Sequence, residues 1–198
     1  MSRVSEEKVE KLKAEMDKHV PNWEIVFKQD DKWPTWWLQA LKWLFQAIGF
    51  IAPQVEKLLM EDFAQTVFHY ILVPWSREEF DMQKEHIYST MRHEYIHMRD
   101  FKRFHVLFVL SYILPPAFIT FRAYWELRGY TQNMLVEYEE HGEVSDRTVD
   151  WIVDTFVGPN YLWMSVFRVI IRKRIEEIRR RIENEEIQGL YPNLKLLA

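Results

Sequence analysis

Apolar residues recur at helical spacing through most of this chain, and this pattern limits its fold more than any other feature. Only five glycines and eight prolines interrupt the 198 residues, so long segments can stay helical. In the segment 36–48, one face carries Trp37, Leu41, Leu44, Phe45 and Ile48, and Gly49 is expected to end the helix. Further helices are expected over 4–18, from Pro53, from the capping sequence Ser76–Glu79 to about Arg103, and over 117–139, 147–156 and 161–187.

One short segment departs from helical spacing. Residues 66–74 are β-branched and aromatic and end in a proline, which is typical of a strand. No other segment is a convincing strand, so we expect a mainly α fold, or at most α+β with one short edge strand or a small sheet. The length of 198 residues predicts a single domain, 1–198, with an exposed N-terminal helix within 1–20 and a charged C-terminal helix within 161–187.

The charge pattern excludes two classes of protein. A formal net charge of −4 with 28% charged residues fits neither a disordered chain nor a globally basic nucleic-acid binder. The arginines between 168 and 181 alternate with glutamates at helical spacing, which favours a solvated face over a nucleic-acid surface. The same helix has an apolar stripe that packs against the body or against a second chain, formed by Ile171, Ile175, Ile178 and Ile182.

The absence of cysteine restricts both location and chemistry. Without cysteine there is no disulfide framework and no thiolate metal site, so any metal ion must be held by histidine and carboxylate. The charged segment 1–19 lacks the apolar core of a secretory signal. Together these features predict an intracellular, cytoplasmic protein.

Two apolar segments raise the question of a membrane. The segment 104–121 is almost uncharged, but Pro115 and Pro116 interrupt it, which favours a buried helix and a turn over a membrane-spanning helix. The tryptophan-rich segment 33–45 has a face that fits a bilayer interface, although packing in a core is favoured. Since the mean hydropathy is −0.32, we expect both segments to pack within a soluble fold, and membrane association is not favoured.

The residues with the clearest chemical pattern are His93, Glu94 and His97. Residues four apart lie on one face of a helix, so the two histidines can direct imidazole nitrogens at one zinc ion. Glu94 then projects beside them toward a water molecule. The alternative is a polar helix face whose two histidines are solvated or hydrogen-bonded.

A third metal ligand is expected at Glu126. This glutamate lies in a predicted helix among large apolar and aromatic residues, where an unpaired carboxylate is costly, so it is expected to meet a cation. A zinc ion satisfies that requirement. A salt bridge to Arg122, four residues earlier on the same face, is the alternative.

The motif of His93, Glu94 and His97, followed by Glu126 on a later helix, resembles the gluzincin group of zinc metallopeptidases. The resemblance implies a zincin-like fold, zinc held by His93, His97 and Glu126, Glu94 as general base, and a peptide or protein substrate. Asp100, one turn beyond His97, is a candidate to orient an imidazole. Candidate donors to the oxyanion are Arg122, Tyr130 and His141. If Glu126 lies out of reach, the third ligand is sought among Asp100, His105 and His141.

Other site types fail on the same residues. A metzincin needs glycine and histidine where this chain has Asp100 and Arg103, and a di-iron bundle needs two Glu-x-x-His motifs where only the one ending at His97 is present. The rival from another class is a non-catalytic helical protein, partner-binding or membrane-peripheral, with a structural cluster of histidine and glutamate. The substrate specificity and the oligomeric state are left open.

Overall fold

A computed structural model describes residues 6–51, 57, 60–61, 64–82, 84–113, 122–158, 164 and 167–190. The fold is mainly α with one small sheet, as the sequence predicts. The chain divides into two compact units, one up to Tyr88 and one from Ser89. Each unit is described by itself, and the single domain expected from the chain length stays a prediction.

The first unit is built around a small sheet. Its helices are α1 (Glu6–His19), α2 (Trp36–Ile51) and α3 (Arg77–Met82), and its strands are β1 (Glu24–Phe27), β2 (Gln65–Val67) and β3 (Tyr70–Val73). The strand order is β1-β3-β2. β3 pairs in parallel with β1, from Glu24 opposite Tyr70 to Phe27 opposite Val73, and antiparallel with β2. All four residues of β3 are buried, because it is the central strand.

The prediction of one edge strand over 66–74 is wrong in detail. The segment forms two strands, since Phe68 adopts φ 60° and turns the chain back on itself between β2 and β3. β1 was not expected, because four residues are too short for an alternating pattern to stand out. The described residues therefore form three strands where the sequence indicates one convincing strand.

Helix α2 packs on this sheet through one face only. Its inward face contributes Leu38 to a core with Val26, Trp33, Tyr70 and Leu72. Its outward face exposes large apolar side chains, namely Trp36, Trp43, Leu44 and Phe50. The expected packing of this segment is thus confirmed for one face and wrong for the other.

Two helix boundaries also differ from the expectation. α2 continues through Gly49 to Ile51, because packing of its inward face outweighs the modest cost of a helical glycine. The helix expected from Pro53 falls outside the described residues. The predicted capping sequence is confirmed before α3: the Ser76 N–H donates to Glu79 Oε2 at 2.8 Å, and the Glu79 N–H donates to Ser76 Oγ at 3.2 Å.

The second unit is helical in its described residues. It contains most of α4 (Lys84–Phe104), then α5 (Val106–Ile113), α6 (Arg122–His141), α7 (Asp146–Val157) and α8 (Arg168–Glu183). A core joins the last three helices, and the apolar stripe of α8 lies in it with Ile175, Ile178 and Ile182 fully buried. The stripe therefore faces the body of its own chain. On the other side of α8, arginines form ion pairs with acidic residues of α7, such as Arg179 with Asp146 at 2.6 Å, as expected of a solvated face.

The described residues of the two apolar segments, 33–45 and 104–113, are only partly buried. No described helix combines the length and the apolar character that a membrane crossing requires. α5 buries Phe108, but it exposes Val106, Leu107 and Leu110, so the expectation of a buried helix is wrong for its outer face. Pro115 and Pro116 lie outside the described residues.

Candidate metal centre

Helices α4 and α6 of the second unit bring the three predicted ligands together. His93 and His97 lie one turn apart on α4, and Glu126 lies in the second turn of α6. All three are buried, with His93 9%, His97 4% and Glu126 2% exposed. Among the described residues, they form the one group of three or more histidine and acidic side chains whose ligand atoms lie within 4.8 Å of one another.

The spacing of the ligand atoms fits a metal ion. His93 Nε2 and His97 Nε2 are 3.1 Å apart, and Glu126 Oε2 lies 3.5 Å from the first and 3.8 Å from the second. A tetrahedral zinc site with bonds of about 2.0–2.2 Å separates its ligand atoms by about 3.4 Å. The three measured separations lie within about 0.4 Å of that value. The three side chains therefore need almost no rearrangement to bind one ion.

The electrostatics of the two imidazoles differ. Burial lowers the pKa of His93, but its contact with Glu126 and the charges of Glu94 and Glu126 outweigh burial, so the pKa is raised overall. Burial also lowers the pKa of His97, which falls to about 3 because the attraction of Glu126 is offset by neighbouring positive charges. At neutral pH His97 is thus a neutral imidazole, the form that binds a metal ion.

A hydrogen-bonded chain fixes the orientation of His93. Asn133 Nδ2 donates to Ser89 Oγ at 2.7 Å, which leaves Asn133 Oδ1 to accept from His93 Nδ1 at 2.7 Å. With its proton held at Nδ1, the imidazole presents the lone pair of Nε2 toward His97 and Glu126. Asn133 therefore sets both the tautomer and the angle of the first ligand.

Gly129 allows the two helices to meet at this point. A Cβ atom placed on Gly129 would lie 2.4 Å from His93 Nε2, which is far inside van der Waals contact. The imidazole of His93 thus rests directly on the backbone of α6. Glu126, Gly129 and Asn133 are three and four residues apart, so they form one stripe of α6 that faces α4.

A further pair of contacts holds the helices in register. Arg92, the neighbour of His93, is 2% exposed. Its Nε donates to Gln132 Oε1 at 3.0 Å and its Nη1 to Glu139 Oε2 at 2.6 Å. These charge-assisted bonds tie α4 to α6 over two turns, so contacts outside the cluster help to set the distance between His93 and Glu126.

Glu94 lies beside the cluster. It follows His93 on α4 and is 5% exposed, and its negative charge contributes to the raised pKa of His93. A carboxylate whose charge acts on His93, but which is not one of the three clustered ligand groups, is suited to exchange a proton with a water molecule at the cluster.

The remaining candidate residues, Asp100, Tyr130 and Arg122, each have a different environment. Asp100 Oδ1 forms an ion pair with Arg128 Nη2 at 3.1 Å, and both side chains are almost completely buried. Tyr130 meets the ring of His93 edge to face, with the centroids 4.9 Å apart. The positive charge of Arg122 helps to lower the pKa of His97, which indicates a guanidinium near the cluster.

His141 is not part of the centre. It is the last residue of α6, fifteen positions after Glu126, which corresponds to about 22 Å along the helix. Its side chain is exposed. The expectation that it donates to an oxyanion, or replaces Glu126 as a ligand, is wrong because the helix is continuous between the two residues.

Sequence reasoning did not find Asn133 or Gly129. A signal for Gly129 was present, because a glycine in a helix interior costs about 1 kcal/mol relative to alanine and calls for a packing reason. For Asn133 the spacing of seven residues from Glu126, two helical turns, was the available signal.

No protein family, curated protein or solved structure matches this chain.

Proposed function

We propose that this protein is a zinc-dependent metallopeptidase in which His93, His97 and Glu126 hold the ion and Glu94 is the general base. The observation that supports this most is that two imidazole nitrogens and one carboxylate oxygen lie 3.1–3.8 Å from one another, close to the separation of about 3.4 Å between ligand atoms of a tetrahedral zinc ion. Two histidines and one glutamate leave the fourth position of a tetrahedral zinc ion open, which is typical of catalytic rather than structural zinc.

The proposed reaction is the hydrolysis of a peptide bond. A zinc ion at the cluster supplies Lewis acidity, which lowers the pKa of water and polarises a carbonyl group. Glu94 accepts a proton from the attacking water as its oxygen bonds to the carbonyl carbon. When the carbon–nitrogen bond breaks, Glu94 returns that proton to the leaving amine. Transfer of the second proton of the water to the amine gives a carboxylate and an ammonium group as products, and no other reactant is required.

His93 and its hydrogen-bonded chain maintain the binding geometry in this scheme. Because Asn133 accepts from Nδ1 of His93, the proton at that nitrogen does not move during the reaction, and Nε2 stays available as a ligand. Arg122 and Tyr130 remain the proposed donors to the oxyanion, and Asp100 remains a proposed orienting residue. A peptide or protein substrate and a cytoplasmic location belong to the same proposal.

A non-catalytic protein is the second candidate, partner-binding or membrane-peripheral, with the cluster as a structural element. The exposed apolar faces of α2 and α5 favour it, since such faces mark surfaces that meet another molecule. The two candidates differ in what Glu94 does, because a structural metal site needs no general base.

The test combines metal analysis with peptide cleavage. The wild-type protein is expected to hold one zinc ion per chain, and His93→Ala is expected to lose it. Glu94→Gln is expected to keep the ion but to cleave peptides from a library about 100-fold more slowly or worse. Glu143→Gln, in the exposed loop after α6, serves as the control and retains both properties. Wild-type protein without bound zinc, or full cleavage by Glu94→Gln, would overturn the proposal.

A further inference from the structure

Helix α5 exposes an apolar stripe at the surface of the second unit. Val106, Leu107 and Leu110 are 66%, 70% and 47% exposed. Leu107 and Leu110 follow Val106 by one and four positions, so the three side chains lie together on one side of the helix. The opposite side carries Phe108, which is 8% exposed. α5 is thus an apolar helix with one face buried and one face open.

The buried face of α5 is firmly held. The ring of Phe108 lies between those of Trp125 and His97, with centroid distances of 5.3 and 6.2 Å. Trp125 Nε1 also donates to Ser111 Oγ at 2.9 Å. These contacts fix α5 against α4 and α6, so the apolar stripe is presented on an anchored helix.

The charged residues that immediately precede this stripe in the sequence are basic. Lys102 and Arg103, at the end of α4, are exposed and immediately precede α5. The guanidinium of Arg103 lies over the ring of Phe104, 5.4 Å from its centroid. The sequence from 101 to 121 contains no aspartate or glutamate, although the whole chain has a net charge of −4. α5 therefore exposes apolar side chains and directly follows two exposed basic residues.

This combination fits the interface of a membrane that contains anionic lipids. An apolar stripe flanked by lysine and arginine is the pattern of helices that lie in the plane of a bilayer, with basic groups near the lipid phosphates. α5 has eight residues, about 12 Å of helix, and is far too short to cross a hydrocarbon core of about 30 Å. We propose that α5, with Lys102 and Arg103, binds the surface of an anionic bilayer.

Vesicle flotation tests the proposal on the whole chain. The wild-type protein is expected to float with vesicles of phosphatidylcholine and phosphatidylserine, and less with phosphatidylcholine alone. The double variant Leu107→Glu and Leu110→Glu is expected to lower the partition coefficient by about tenfold or more. The double variant Lys102→Gln and Arg103→Gln is expected to lower it by about thirtyfold on the anionic vesicles only, since each cation contributes about 1 kcal/mol.

Two matched controls separate α5 from other exposed apolar residues. Val169→Glu with Ile170→Glu changes two residues of α8 that are 67% and 61% exposed, and binding should be unchanged. Trp43→Glu tests the outward face of α2, and it should retain most of the binding. No flotation of the wild type overturns the proposal. A loss of binding caused by Trp43→Glu but not by the α5 variants also overturns it. The same holds for self-association of the protein that only the α5 variants abolish and that lipid does not affect.

Discussion

Replacement of Gly129 by alanine is predicted to damage the metal centre while leaving the helix itself more stable. The new Cβ would lie 2.4 Å from His93 Nε2, and ordinary contact requires about 3.4 Å, so the imidazole or the helix must move by about 1 Å. The hydrogen bond to Asn133 and the burial of the ring leave little room for this movement. Because Nε2 is the proposed ligand atom, zinc affinity should fall by about 100-fold.

The effect of Gly129→Ala on folding of the metal-free protein has two parts of opposite sign. Alanine stabilises a helix interior by about 1 kcal/mol relative to glycine. Overpacking against His93 costs about 1–3 kcal/mol. The single variant should therefore be less stable by up to about 2 kcal/mol. In a His93→Ala background the clash disappears, so the same substitution should instead stabilise the protein by about 1 kcal/mol.

A double-mutant cycle measures these quantities. Urea unfolding of the four metal-free proteins gives the coupling between positions 93 and 129, and competition with a chelator gives the zinc affinity of wild type and Gly129→Ala. Wild-type zinc affinity in Gly129→Ala would refute the close approach of His93 to α6. If Gly129→Ala destabilised the wild-type and His93→Ala proteins equally, the close approach would be refuted as well, because the loss of stability would not come from a clash with the imidazole.

The remaining predictions concern the groups around the site and one helix cap. Asn133→Ala should lower zinc affinity by about 10- to 100-fold, with little change in stability of the metal-free chain, as followed by competition titration. Arg128→Met leaves the buried carboxylate of Asp100 without its ion-pair partner, and urea unfolding should show a loss of about 3–5 kcal/mol. Removal of zinc with a chelator should lower the melting temperature, because a ligand present at 100 times its Kd stabilises the folded state by about 2.7 kcal/mol. Ser76→Ala should cost about 1 kcal/mol by removing the cap of α3.

The cluster of His93, His97 and Glu126 could be predicted because its signals are local. The spacing of His93 and His97 places them on one helix face, and the cost of a buried carboxylate identifies Glu126. The residues that the prediction missed act across helices. Gly129 and Asn133 matter only because α6 approaches α4 at His93, and no property of either residue in the sequence specifies that approach.

The errors in the fold have a similar origin. The apolar character of 66–74 was correctly assigned to strand, but the turn at Phe68 depends on a positive φ that a phenylalanine rarely adopts. The exposed face of α2 could not be predicted, because periodicity identifies which residues share a face and does not determine whether anything covers it. The capping sequence at Ser76 was predictable because both partners lie within four residues.

The burial of α6 on all sides restricts how chains of this kind can diverge. Every residue from Trp125 to Gln132 is buried, so two full turns have no solvent-facing position at which a substitution is free. One inserted residue within α6 would rotate the following stripe by about 100° and separate Glu126 from Asn133 on the helix surface. By contrast, the ligand spacing does not constrain the length of the sequence 114–121 between α5 and α6. Relatives should therefore keep the lengths of His93–His97 and Glu126–Asn133 fixed, with changes in length confined to the sequence between α5 and α6.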